Sequence, residues 1–149
     1  MRISTTTHYA SRILLDLALH IDQPPVSASK LSEHTGIPVK FLEKIVRPLK
    51  SAGFIKSVRG AMGGHYLACM PDEITLGSVV RLMDGGIRLA QCGTEEGQCG
   101  QQCHQCRTNV VWREVTEALE RELDAITLAD MLGDHQSSCW RVAQTGTEG

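Results

Sequence analysis

Aromatic side chains are scarce: two Phe, two Trp and two Tyr, 4% of 149 residues. Any core built from this chain must therefore be aliphatic. Long apolar runs are missing as well, and no stretch approaches the roughly 18 consecutive apolar residues of a membrane-spanning helix. The first twenty residues, MRISTTTHYASRILLDLALH, hold no uninterrupted apolar segment and no small-residue cleavage site, because Arg12 and Asp16 break the pattern. A cytoplasmic protein with no membrane partner is expected. No Ser/His/Asp set, phosphate-cradling loop or pair of catalytic carboxylates stands out, so neither an enzyme nor a small-molecule substrate is expected. Internal repeats and low-complexity segments are lacking too. What remains is one ordinary domain, or a small domain with an appended element.

Net charge is also small, at -2, but its distribution is uneven. Residues 1–66 hold nine Lys/Arg against four Asp/Glu, a balance of +5, whereas residues 67–149 hold six against thirteen, a balance of -7. A basic first half joined to an acidic second half points to a polyanion-binding module carrying something else.

Within residues 5–21, Ala10, Ile13, Leu14, Leu17, Ala18 and Ile21 recur at helical spacing and form one apolar face, which ends at Pro24-Pro25. A short helix is expected from Ala28 to His34, with Ser27 as N-cap and Gly36 as stop. After Gly36-Ile37-Pro38, a third helix places Val39, Leu42, Val46 and Leu49 on one face and Lys40, Lys44 and Arg47 on another. Pro48 would ordinarily kink or shorten it. Two such helices joined by a short Gly-containing turn predict a helix-turn-helix.

Two short strands follow, Phe54–Arg59 and His65–Cys69. They flank the loop Gly60-Ala61-Met62-Gly63-Gly64, whose three glycines are free to take positive φ. A hairpin directly after a helix-turn-helix is a wing, so a mainly α winged helix-turn-helix is expected. DNA is the natural ligand. Lys40, Glu43, Lys44 and Arg47 are candidates for the groove-facing side of the recognition helix, and Arg59 with Gly60, Gly63 and Gly64 for the wing contact.

The second half predicts a helix capped by Thr75 that ends at Asp84-Gly85-Gly86, then a glycine- and cysteine-rich loop, then a long helix from Thr108 to about Ala125. Trp112, Val115, Leu119, Leu123 and Ile126 form a narrow seam on that helix, more typical of a partner surface than of a self-contained core. A homodimerisation helix is expected, with Thr127 capping a short helix to Leu132. The predicted organisation is a DNA-binding domain over 1–76, a connecting helix and sensor loop over 77–107, dimerisation and capping helices over 108–133 and a tail over 134–149.

Four of the six cysteines, Cys92, Cys99, Cys103 and Cys106, fall within fifteen residues. In a cytoplasmic chain, clustered thiols are more often ligands than bridges. Only Cys103-x2-Cys106 has zinc-knuckle spacing, and the wider gaps suit an iron–sulfur cluster, so an iron–sulfur site, structural zinc and a metal-free thiol switch all stay open. Cys69 reads as a small buried hydrophobe and Cys139 as uninvolved. His104 is a minor zinc candidate, and His20, His34, His65 and His135 have no evident converging partners.

The order of elements, the wing RGAMGGHY from Arg59 to Tyr66, the cysteine loop and the ITLADML stretch from Ile126 to Leu132 resemble the IscR/NsrR-type family of dimeric winged-helix transcription regulators. The resemblance runs from Met1 to about Leu132. It implies a homodimer on a pseudo-palindromic operator and an iron–sulfur cluster of either two or four irons, with Cys92, Cys99 and Cys106 as the matching ligands. At the fourth-ligand position of the IscR branch this chain has Asn109, and at that of the NsrR branch it has His8. His8 and the extra thiol Cys103 are therefore the candidates for the fourth ligand. The family's base-reading carboxylate matches Glu43 and its minor-groove arginine matches Arg59.

Overall fold

The computed structural model describes residues 2–89 and 107–134. Helix α1 spans Thr5–Leu19, α2 Ala28–Thr35 and α3 Val39–Ser51. Strands β1 (Ile55–Val58) and β2 (Gly64–Leu67) follow, then a single 3-10 turn at Pro71–Glu73 and helices α4 (Leu76–Asp84), α5 (Arg107–Ala125) and α6 (Leu128–Asp134). The expected winged helix-turn-helix is present, with the two strands paired antiparallel as a hairpin.

Local chemistry sets most of the boundaries. The hydroxyls of Ser4, Ser27 and Thr75 each accept a backbone N–H in the first turn of α1, α2 and α4. Gly36 and Gly85 end α2 and α4 in the left-handed conformation, at φ 70° and 74°, where a Cβ would be strained. At α6, Thr127 and Asp130 cap each other: the Asp130 N–H donates to Thr127 Oγ1 at 3.1 Å, and the Thr127 N–H to Asp130 Oδ2 at 2.8 Å. Pro48 removes one N–H from the ladder of α3, yet the helix continues to Ser51.

The core is aliphatic throughout. Ala10, Ile13, Leu14 and Leu17 of α1 pack with Leu31 of α2, with Leu42, Ile45, Val46 and Leu49 of α3, and with Ile55 and Leu67 of the hairpin. Ile74, Val79 and Leu128 extend the same cluster, so α1 lies against α4 and α6 as well as against the helix-turn-helix. Val39, expected on the buried stripe of α3, is 38% exposed, and Ile45 takes its place. Val39 is the first residue of the helix, where the chain has only just left the Gly36–Pro38 turn.

Helix α5 is held at its C-terminal end. The Leu76 N–H donates to the Ile126 carbonyl at 2.8 Å, and the Leu128 N–H to the Ile74 carbonyl at 2.9 Å. Arg81 of α4 makes a forked pair with Asp124, at 3.1 and 2.5 Å, and its hydrogen bonds hold that carboxyl below the usual carboxylate range. A Cβ on Gly77 would collide with Asp124, so the glycine allows α4 and α5 to approach closely.

The predicted seam divides along α5. Leu119 and Leu123 are half-buried, whereas Trp112 is 48% and Val115 45% exposed. Val110 and Val111 extend the exposed apolar surface. On the exposed side of α5, Arg113 Nε and Glu117 Oε1 stand 3.8 Å apart.

Candidate nucleic-acid interface

The turn before α3 is fixed from inside. Ile37 is fully buried between Gly36 and Pro38, while Thr35, also buried, donates its hydroxyl to the Leu31 carbonyl at 2.5 Å. That anchor sets the departure of α3, whose first turn has no side-chain cap. With Leu42, Ile45, Val46 and Leu49 directed inward, Lys40, Glu43, Lys44, Arg47 and Lys50 are all exposed. Phe41, 53% exposed beside Lys40, belongs to the same outer surface and was not singled out from the sequence.

The wing is tied to the body at its base. Val26, just before α2, exchanges two backbone hydrogen bonds with His65 of β2, both 2.8 Å. A Cβ on Gly64 would stand 2.5 Å from the Val26 carbonyl, and one on Gly63 would run into the Val58 carbonyl. The glycines were expected to serve positive φ. Only Gly60 does so, at 111°, whereas Gly63 and Gly64 are required for close backbone packing. Both are half-buried, and Gly64 is the first residue of β2 rather than part of the loop. Arg59 and Gly60 are exposed at the wing, as is Met62, at 85%.

A groove of about 440 Å³ lies between α3 and the wing base, with Glu43, Arg47 and Lys50 on one wall and His65 on the other. His65 was expected to have no partner, but its Nδ1 is 2.7 Å from Ser57 Oγ across the hairpin. Burial pushes its pKa below 6.5, the Lys50 cation pushes it further, and Glu43 partly opposes them. Glu43, Arg47 and Lys50 of α3 and His65 at the wing base therefore share one concave surface.

The expected metal-binding cysteines Cys92, Cys99, Cys103 and Cys106 lie outside the described residues, as do His104, His135 and Cys139. His8 is exposed on the first turns of α1, its ring centroid 6.3 Å from that of Tyr9. Cys69 is half-buried rather than buried, with its thiol 3.3 Å from the Gly53 carbonyl. Among the described residues, the side chains that converge closely enough to hold an ion are Asp16, His20 and His34, so the two histidines expected to stand alone share a carboxylate.

Comparison with known proteins places this geometry. Residues 3–134 match the family described as Rrf2, iron-dependent transcriptional regulator. Protein rrf2 of Nitratidesulfovibrio vulgaris is 38% identical over 134 residues, covering 90% of this chain and 89% of that protein. The HTH-type transcriptional regulator IscR of Aliivibrio salmonicida is 34% identical over 136 residues, covering 91% and 80%. Among solved structures, T. potens IscR superimposes with a TM-score of 0.73 at 33% identity, covering 95% of this chain and 96% of that one.

Proposed function

The chain belongs to the Rrf2 family of transcriptional regulators, not of enzymes, and from that premise we propose that it is a cytoplasmic, homodimeric repressor whose operator affinity is set by an iron–sulfur cluster in the cysteine loop. The observation that carries the DNA-binding part is the shared groove, in which Glu43, Arg47 and Lys50 of α3 face the base of a wing bearing Arg59.

In this reading α3 enters the major groove. Lys40, Lys44 and Arg47 meet phosphates or guanine there, and Glu43 accepts from a cytosine amino group. Arg59 reaches the adjacent minor groove from the wing, whose angle is held by the Val26–His65 hydrogen bonds. Trp112 and Val115 meet their counterparts on a second copy. Two recognition helices are then set on half-sites about 34–36 Å apart, one turn of DNA.

The donor set fits an iron–sulfur cluster. Cys92, Cys99 and Cys106 would supply three soft thiolates, and Cys103 or the exposed His8 a fourth ligand. A cluster held by these residues would supply a redox-labile charge. Cys106 immediately precedes Arg107, the first residue of α5. Ligation there bears directly on the element proposed to pair the two chains, and hence on the separation of the two recognition helices. Because sensor and DNA sites are distinct, each biases the other's affinity reciprocally.

The test is anaerobic purification with iron, acid-labile sulfide and zinc counts, followed by gel shifts before and after cluster removal. The expected result is a coloured protein containing iron and sulfide, with operator affinity that changes on removal. A colourless protein holding zinc and no iron would overturn the cluster reading while leaving DNA binding intact.

A further inference from the structure

We propose that Asp16, His20 and His34 form a binding site for a divalent transition-metal ion of the zinc class, bracing α1 against α2. Asp16 stands on the core side of α1 and is only 1% exposed. A carboxylate in such a place is costly unless hydrogen bonds, a cation or a metal ion meet it. Here two imidazoles meet it from different elements. His34 Nδ1 is 3.0 Å and His20 Nδ1 3.6 Å from the same oxygen, Asp16 Oδ2. The rings lie nearly parallel, 18° apart with centroids at 5.0 Å.

The spacing matches a coordination shell. Ligand nitrogen and oxygen atoms about 2.0–2.2 Å from a tetrahedral zinc ion stand roughly 3.3–3.5 Å from one another. The two histidine–carboxylate distances of 3.0 and 3.6 Å bracket that value, and one ligand atom from each of the three residues lies within 4.8 Å of the others. The histidine side chains are 24% and 35% exposed, which leaves an entry path and room for water in the fourth position.

The competing reading is a hydrogen-bonded staple. His34 would donate to the carboxylate, and His20 to the Asp16 carbonyl at 2.7 Å. That accounts for one N–H on each ring. Coordination would use the same two nitrogens as neutral Nδ1 lone pairs with the ring protons on Nε2, so His20 would exchange its carbonyl contact for the ion. Two imidazoles and a carboxylate with an open position suit zinc, nickel or copper. His34 lies two residues before Gly36, so occupancy would fix the end of α2 from which the turn into α3 departs.

The test uses the full chain equilibrated with zinc and then dialysed, comparing the unchanged protein with His20→Ala, His34→Ala and His34→Gln. The glutamine retains a donor toward Asp16 but is a poor metal ligand, so it separates the staple from the metal site even if the alanine variants fold badly. The unchanged protein should hold about one zinc ion per chain more than His34→Gln, because zinc on the cysteine loop is common to both. Adding one equivalent of zinc beyond that bound by the cysteines should shift the ring resonances of His20 and His34 and leave those of His65 in place. Equal zinc contents in the unchanged and His34→Gln proteins would overturn the proposal. So would histidine ring resonances that zinc does not move.

Discussion

The half of the molecule proposed to read DNA and the helix proposed to pair it are built to different degrees of completion. Helices α1 to α3, the hairpin and the segments that join them contribute fourteen of the seventeen buried members of the core cluster, and every polar residue of the DNA reading sits on a backbone that this core fixes. Helix α5 has nineteen residues and none of them buried. Its C-terminal end is clamped by Arg81–Asp124 and the Thr75–Thr127 bridge, while Trp112 and Val115, toward its N-terminal end, stand half in solvent. Recognition needs a rigid surface within one chain, whereas spacing two such surfaces needs a second chain. The division of charge follows the same line: the basic residues cluster where phosphate is expected, and Glu114, Glu117, Glu120 and Glu122 would keep α5 away from it.

The most severe way to break that contrast is to charge the exposed part of α5. Trp112→Asp or Val115→Asp should leave the single-chain fold intact, because both side chains are already exposed. Operator affinity should nevertheless fall by about 100-fold or more, as two linked half-site contacts become independent. Sedimentation together with gel shift checks this, and a variant that stays dimeric with full affinity would remove α5 from the interface. Next in size is Gly64→Ala. Its Cβ would meet the Val26 carbonyl at 2.5 Å, where only backbone can yield. Overpacking of this kind costs about 1–3 kcal/mol, and thermal melting should register it while detached wing geometry lowers DNA affinity. Arg59→Ala should weaken operator binding by about 1–3 kcal/mol, and Glu43→Ala by less but with altered base preference, measurable by gel shift on operator variants. An unchanged salt slope in Arg59→Ala would separate that arginine from the phosphates.

Much of this architecture was legible because its signals are local. Ser27, Gly36, Thr75, Gly85 and Thr127 each act on the turn beside them, and the α1 stripe repeats with the period of the helix. The charged face of α3 followed from the same periodicity. Distances across the fold were not legible. His34 stands eighteen residues from Asp16, and nothing periodic links them, yet α1 and α2 bring them to 3.0 Å. Gly63 and Gly64 look like turn glycines in a sequence, and only the approach of the Val58 and Val26 carbonyls shows that space, not φ, requires them. The α5 seam had the right spacing but could not reveal that Leu119 and Leu123 are shielded while Trp112 and Val115 are not.

The smallest expected effect sharpens the contrast from the DNA side. The folded chain holds His65 below 6.5 because the ring is half-buried and Lys50 lies near, with Glu43 opposing. As pH falls through 6.5, the unfolded chain takes up the proton before the folded one does, so stability rises with pH in this window and is lost on acidification. The melting midpoint of the free protein should therefore drop as pH is lowered from neutrality toward 5.5, and His65→Gln should flatten that part of the slope. Bound operator should flatten it too. Phosphates beside Arg47 and Lys50 would offset the cation that opposes protonation of His65, and the groove holding all three is the surface proposed to receive them. If operator leaves the pH slope of the unchanged protein as steep as in the free chain, the groove between α3 and the wing is not where the phosphates lie.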